Sequence, residues 1–317
     1  MAYTIAQLAQ QITDPQVRTL LDNLLKQSPI VSHASIIPAT HGDFHKYKHW
    51  TALPDIAGRT FAGTFEVKTP TKAVMQLDLQ QLGVVHEEDE RVVQTSNYNN
   101  PIEFFDEHAP VYYAAMGQAI AKAIYFGEAD NVAYQNLADY CETNNTHKDL
   151  TGSGAGRTWI FCVKWEPDKT GIVVNPSAVT DLGTLVRVSP KNIQNGVMTA
   201  RYKDVSSSTK QPVFEVGYDT IFNLLNNSNA NISMLYNVQD DTGKRPTVDN
   251  MLELIDNAKG TPGNTYIYTS RLGRRLISKL KDAKLQMMTT DTNFAVSTLA
   301  FDGIPIFTDE NIPVTTA

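Results

Sequence analysis

The chain has 317 residues, 42% hydrophobic and 19% charged, with 18 glycines and 15 prolines. That size fits one large or two moderate domains able to bury a core without disulfides or metal, and the composition excludes disordered, collagenous and coiled-coil chains. With 27 Lys and Arg against 34 Asp and Glu, the net charge of −7 leaves no global cationic field to gather nucleic acid or anionic lipid.

The N-terminus, MAYTIAQLAQQITDPQ, has neither a basic region nor an unbroken apolar run, so it does not read as a signal peptide. Two short helices are predicted in the first 30 residues. Thr4 caps a turn carrying Ile5, Leu8 and Ile12, and Asp14-Pro15 then opens a second helix. On that second helix Val17, Leu20, Leu21 and Leu24 form one apolar stripe, which must dock on its own domain or on a neighbouring subunit.

From Phe44 to Val67 the period changes to two. FHKYKHWTA and FAGTFEV are predicted to pair as a long ribbon around the turn LPDIAGR, with too few apolar residues for a core of its own. The strongest helical segment is PIEFFDEHAPVYYAAMGQAIAKAIYF. Asp106 and Glu107 before Pro110 suit a helix start, Tyr112, Met116, Ile120 and Ile124 repeat at four, and Gly127 supplies the stop. Its apolar part from Val111 to Phe126 carries Gln118 and Lys122 and falls short of the roughly 20 residues that a membrane span requires.

The polar stretch Glu142 to Thr158 is predicted as a long loop and the best internal boundary. Strand-rich sequence follows. TWIFCVKW and GIVV are predicted to pair around a turn at Pro167 to Gly171, and LVRV, VMTARYKDV, PVFEV and NISMLYNV come next. Thr247 and Ser270 cap two helices, with Gly260 as a stop and TYIYT as a strand between them, and FDGIPIFTDENIPV closes the chain as strand with a glycine turn. The class is α+β with mostly antiparallel pairing.

Four features invite a chemical reading. His41, His45 and His49 recur every four residues, which would suit catalytic zinc on a helix; on a strand the outer two lie roughly 27 Å apart and cannot share an ion. Gly42, Tyr47 and Trp50 favour the strand. The acidic run His86-Glu87-Glu88-Asp89-Glu90 lacks calcium-loop spacing and reads as a solvated face or a patch for a basic neighbour. Gly152 to Thr158 does not match a phosphate loop and runs into a strand, so a flexible linker is expected. The basic helix with Arg271, Arg274, Arg275, Lys279, Lys281 and Lys284 could face water, acidic neighbours or nucleic acid. Cys141 and Cys162 are single and suit a reducing compartment. No nucleophile, base and orienting group occur together, so no enzyme, cofactor or metal is expected.

Four stretches in this order resemble the major capsid proteins of tailed bacteriophages with the Hong Kong 97 (HK97)-like fold, and in particular the family typified by phage epsilon15. They are HWTALPDIAGRTFAGTF, VVHEEDERVV with PVYYAAMGQAIAKAIYFGEAD, TWIFCVKWEPDKTGIVVNP, and TVDNMLELIDNAKGTPGNTYIYTSRLGRRLISKL with FDGIPIFTDENI. The resemblance implies an N-terminal arm at 1–36, an extended β-ribbon loop at 37–85, a peripheral domain with a long spine helix at 86–150 plus 299–317, and an axial domain at 151–298. It implies a structural subunit forming hexamers and pentamers of an icosahedral shell around double-stranded DNA, assembled in the host cytoplasm and located in the virion. Scaffolding, cement or decoration, and portal proteins would be further partners, DNA contact would be non-specific, and no membrane is involved. Inter-subunit contacts would fall on Val17, Leu20, Leu21, Leu24, Phe44, Tyr47, Trp50, Arg59, Phe61, Phe65, Glu87, Glu88, Arg271 and Arg275. The alternatives are a soluble metal-dependent enzyme using His41, His45 and His49, or a virion decoration protein.

Overall fold

A computed structural model describes residues 28–52, 56, 68–96, 100–127, 134–175, 185–194, 197–206, 209–228, 230–280, 285–289 and 297–315. The predicted helices before residue 28, and with them Val17, Leu20, Leu21 and Leu24, lie outside the described residues, as do Arg59, Phe61 and Phe65. A short helix, α1 (Pro29–His33), leads into strand β1 (Ile36–Pro38). The chain then leaves in the ribbon. Strand β2 (Phe44–Ala52) pairs antiparallel with β3 (Thr71–Asp78), Phe44 opposite Asp78 and Trp50 opposite Lys72. The outgoing strand matches the sequence pattern, but its partner is TKAVMQLD and not FAGTFEV, whose residues are not described. The register is set at the root. Leu77 and Leu79 bury there with Ile37, Ala39, Val173 and Leu225, and a one-residue slip would turn Leu77 to solvent. Strand β4 (Gln80–Asp89) continues into the body, where the Asp89 carboxylate accepts from the Arg91 N–H at 2.7 Å and caps α2 (Glu90–Thr95).

Helix α3 (Pro101–Phe126) is the longest described helix. Asn100 Oδ1 accepts from the Ile102 N–H at 2.6 Å, and Pro101 fills a first-turn position whose N–H would have no partner anyway. At the other end Gly127, at φ 71°, donates to the Ala123 carbonyl at 2.9 Å. The helix spans the whole predicted segment 101–126; only the start signal read at Asp106 to Pro110 is not used, and Pro110 lies inside the helix. The earlier start wins because it buries Phe104 and Phe105, while the carbonyl freed by Pro110 belongs to exposed Asp106, where water can reach it. Met116, Ile120 and Ile124 form the buried stripe expected, with Ala121 and Ala123 beside them. Helix α4 (Leu137–Thr143) follows, capped by Asn136.

Strands β5 (His147–Asp149), β6 (Arg157–Lys164), β7 (Thr170–Val174), β8 (Arg187–Pro190), β9 (Ile193–Gln194), β10 (Val197–Met198), β11 (Arg201–Ser206), β12 (Thr209–Asn226) and β13 (Ile232–Gln239) come next. The 18-residue β12 organises a six-stranded sheet. Strand β4 runs along one edge, from Asp89 opposite Val213 to Gln80 opposite Phe222. On the other edge β11, β8 and β7 pair with it in succession, and β1 adds parallel to β7. Phe214, Val216, Tyr218, Phe222 and Leu224 alternate toward α3. Only PVFEV of this strand is legible in the sequence, because Gly217, Asp219 and Asn223 read as turn residues.

The predicted TWIFCVKW–GIVV pair does not form a hairpin. Strand β7 lies between β1 and β12, whereas β6 lies between β13 and β14 (Thr265–Thr269) of a second sheet, with only a bridge between Glu166 and Thr170 at the turn. All five residues of β7 and four successive residues of β6 are buried, and strands buried on both faces belong in sheet interiors. The seven-stranded sheet runs β15 (Leu285–Thr289), β16 (Ser297–Phe301), β17 (Ile304–Thr308), β14, β6, β13, β5. Phe161, Val163, Met234 and Tyr268 join the core around α3. Ile160, Cys162, Leu235 and Ile267 pack with Met251 and Leu254 of α5 (Val248–Asn257) and Leu276 and Ile277 of α6 (Arg271–Ser278). Thr247 and Ser270 cap those helices as predicted, accepting from the Asn250 and Gly273 amides.

Two further expectations change. Residues 142–158 are not one loop, since they contain the end of α4 and β5. The glycine segment is no free linker either. Gly152 donates to the Asn237 carbonyl at 3.1 Å, Gly156 to the Thr315 carbonyl at 2.7 Å, and Gln239 Nε2 to the Ala155 carbonyl at 2.9 Å. The class is α+β with mostly antiparallel pairing, and the parallel pairs are β1–β7, β5–β13 and β14–β17. Sheet membership also cuts across the expected boundary at residue 150: strands within 170–226 share a sheet with β4, and β16 and β17 share one with β6.

Candidate inter-subunit surfaces

The ribbon is tied to the body at its root and open beyond it. Asn227 Nδ2 donates to the Lys48 carbonyl at 3.0 Å, and Asn227 Oδ1 lies 2.7 Å from His49 Nδ1, which must carry the proton. Asn175 Nδ2 donates to the Gly42 carbonyl at 2.9 Å. Tyr47 packs at the buried root, and burial raises its phenol pKa; Phe44 stacks on His41 at 4.2 Å. Both aromatics are half-buried. Trp50 is placed only by register. On the partner strand Val74, opposite Lys48, is 69% exposed and Met75, opposite Tyr47, is 46% exposed, and Ile56 is 96% exposed.

The three histidines do not converge. His41 precedes the strand, His45 is buried so that its imidazole is held below the ordinary pKa despite Asp168, and His49 is bound to Asn227. Among the described residues no three His, Cys, Asp or Glu side chains form a metal-ligand group.

The acidic run is absorbed by its own chain. His86 points into a nest of rings, 4.8 Å from Phe105, 4.7 Å from Tyr112 and 5.6 Å from His108. Burial, and then His108, hold its pKa down against the pull of Glu88, whose carboxylate is 3.9 Å away. Glu87 pairs with Lys203, and Asp89 caps α2. The expected patch for a basic neighbour is thus reduced: Glu87 is already neutralised at home. Beside it the outer face of the first sheet carries Arg201 on buried Glu215 and Arg187 on Asp219 at 2.6 Å. Tyr202 is 69% exposed there.

Helix α6 places its basic side chains on an acidic seam. Arg271 pairs with Glu310, while Arg275 and Lys279 reach Asp240 at 3.5 and 2.8 Å. These arginines line an open cleft of about 790 Å3 together with Gln118, Leu299 and Thr308.

A buried junction escapes the sequence entirely. Tyr125 Oη donates to Asp309 Oδ2 at 3.0 Å across a separation of 184 residues, and the Asn311 amide adds a bond at 2.9 Å. Burial raises the Asp309 carboxyl pKa against bonds from Asn311, Tyr125 and the Ile30 amide. Nearby, Ser28 Oγ donates to the Gly117 carbonyl at 2.6 Å. His33 stacks on Tyr266 at 4.4 Å and meets the Phe307 ring at a tilt, 4.2 Å between centroids; burial lowers its pKa to about 4. Both thiols are buried, and burial raises the Cys141 pKa to about 12. No local pattern marks Asp309 or His33, because their partners come from distant elements.

No protein-family model and no curated protein matches the sequence. Solved structures match in shape. A chain of the bacteriophage epsilon15 structure superposes with a TM-score of 0.59 at 14% identity, over 89% of this chain and 86% of that one. A chain of the bacteriophage JBD30 capsid does so with a TM-score of 0.53 at 11% identity, over 90% and 91%. The likeness extends along nearly the whole length, and the chain has the HK97-like capsid fold.

Proposed function

We propose that this chain is the structural major capsid protein of a tailed bacteriophage. Identical copies form hexamers and pentamers that close into an icosahedral shell around double-stranded DNA. The observation that carries the reading is the shared fold, joined to a ribbon whose exposed apolar residues have no cover on their own protomer among the described residues. Many moderate contacts, each weak between two subunits, add up over a closed lattice. The subunit's work is geometric and it catalyses no reaction.

In this reading the first sheet with α3 is the peripheral domain and the second sheet with α5 and α6 is the axial domain. That division moves 170–226 to the peripheral side and 299–308 to the axial side. Residues 1–36 serve as the arm and 37–85 as the extended loop. Contacts fall on the arm stripe Val17, Leu20, Leu21 and Leu24, on the outer ribbon including Trp50, Arg59, Phe61 and Phe65, on Glu88, and on Arg271 and Arg275. Assembly takes place in the host cytoplasm, and the mature location is the virion. Scaffolding, cement and portal proteins are further partners, and the packaged DNA is met without sequence preference.

Electron microscopy of the purified full-length chain across a concentration series tests this. Capsomers or closed shells are expected, and compact monomers at every concentration would overturn it.

A further inference from the structure

Helix α6 carries Arg271, Arg274 and Arg275 at spacing i, i+3, i+4, so the three guanidinium groups leave the helix on one face. That face walls the open cleft of about 790 Å3. Asp240 is shared by Arg245, Arg275 and Lys279, and Glu310 answers Arg271. Four cations therefore share two carboxylates, and a fifth, Arg274, has no ion pair among the described residues. Thr308 also lines the cleft. Excess positive charge and forked donors together suit carboxylates.

The same chain displays the complement. Glu103, Asp106 and Glu107 share the i, i+3, i+4 spacing on the exposed face of the first turns of α3. Neither Asp106 nor Glu107 has an ion pair among the described residues, and burial, then Glu103, raises the Asp106 carboxyl pKa. Gln118, on the same helix, lines the cleft. At about 1.5 Å rise per residue, Glu107 lies roughly 16 Å and Glu103 roughly 22 Å from Gln118 along the axis. The acidic face cannot fill the cleft of its own protomer.

We propose that the arginine cleft of α6 on one copy receives the Glu103, Asp106 and Glu107 face of α3 from a second copy. This rests on the shell-subunit reading. The two surfaces differ, so the contact is head-to-tail, the kind that closes into rings. DNA is the competing polyanion, but it has no three-point match to the spacing, and a chain of net charge −7 offers it no broad attraction.

The test uses full-length chain and reads the concentration at which capsomers form, by sedimentation and electron microscopy. Two sets are made: Arg271→Glu with Arg274→Glu and Arg275→Glu, and Glu103→Lys with Asp106→Lys and Glu107→Lys. Each set alone is expected to raise the threshold about tenfold or more, equivalent to about 1.4 kcal/mol, and the six changes together to restore it. Arg274→Glu alone, which leaves the Glu310 and Asp240 pairs intact, guards against misfolding and is expected to raise the threshold in the same direction. Normal thresholds in both sets, or no rescue on combination, would overturn the contact. Loss of binding to a short DNA duplex in the arginine set, with normal assembly of the acidic set, would overturn it in favour of DNA. Wild-type chain that never forms capsomers would defeat the shell reading itself, an outcome distinct from failure of this contact alone.

Discussion

The ribbon and the seven-stranded sheet are both made of strands, yet they lie in opposite surroundings. In β6, Ile160, Phe161, Cys162 and Val163 are all fully buried, with the α3 core on one side and α5 and α6 on the other. In β3, Leu77 is buried at the root while Val74 and Met75 face solvent. A two-stranded ribbon is marginal in water unless something packs on it. Stability of the single chain is therefore expected to reside in the covered sheet, and in the proposed shell the ribbon would gain its cover from neighbouring copies.

The contrast breaks most sharply in the covered sheet. Phe161→Ala is expected to cost about 3–5 kcal/mol in urea unfolding, from lost burial plus the cavity left between β6 and α3. A loss below about 1 kcal/mol would show that the layer is not the stabilising one.

Next is the junction under α3. With the His33 pKa lowered from 6.5 to about 4, the folded state keeps the imidazole neutral while the unfolded chain protonates first. Stability is present above pH 6.5 and falls toward pH 4, by roughly 3 kcal/mol at most. The raised Asp309 carboxyl works in the opposite sense, its contribution being present at low pH and lost as pH rises. His33→Phe, which keeps a ring against Tyr266 and Phe307, is expected to flatten the acid limb in thermal melts over that range. An unchanged slope would place the acid sensitivity elsewhere.

At the ribbon root the effects shrink. Leu77→Ala is expected to cost about 2 kcal/mol and to speed hydrogen exchange in β2 and β3 ahead of β6. Asn227→Ala removes the bond to the Lys48 carbonyl and the His49 contact, for about 1 kcal/mol. Smallest is Met75→Ser on the exposed side of the ribbon, expected within about 0.5 kcal/mol of wild type in the isolated subunit. It is expected to weaken capsomer formation all the same; normal assembly would deny that side of the ribbon its role.

What could be read in advance follows from the range of each interaction. Asn100-Pro101 and the carboxylates before Pro110 are both local helix-start signals, and only burial of Phe104 and Phe105 decides for the first. The caps Thr247 and Ser270 and the stop at Gly127 were legible, since each involves neighbours within four residues. The true partner of β2 was not, because TKAVMQLD carries a single buried anchor, Leu77, whose cover comes from Val173 and Leu225. Of the contact candidates, Arg271 and Arg275 line a cleft and Glu87 pairs with Lys203 from β11, neither of which could be read from the local sequence.

By itself the sequence determined the three helices α3, α5 and α6, many of the strands, the α+β class and the ordered likeness to phage capsid proteins, because caps, periodicity and turn residues act over a few positions; the short α1, α2 and α4 were not legible in it. Tertiary structure alone decided that β6 and β7 enter different sheets, that β12 runs for 18 residues, and that Tyr125 meets Asp309. Those outcomes depend on which buried faces cover one another across the chain, and no local stretch of residues carries that information.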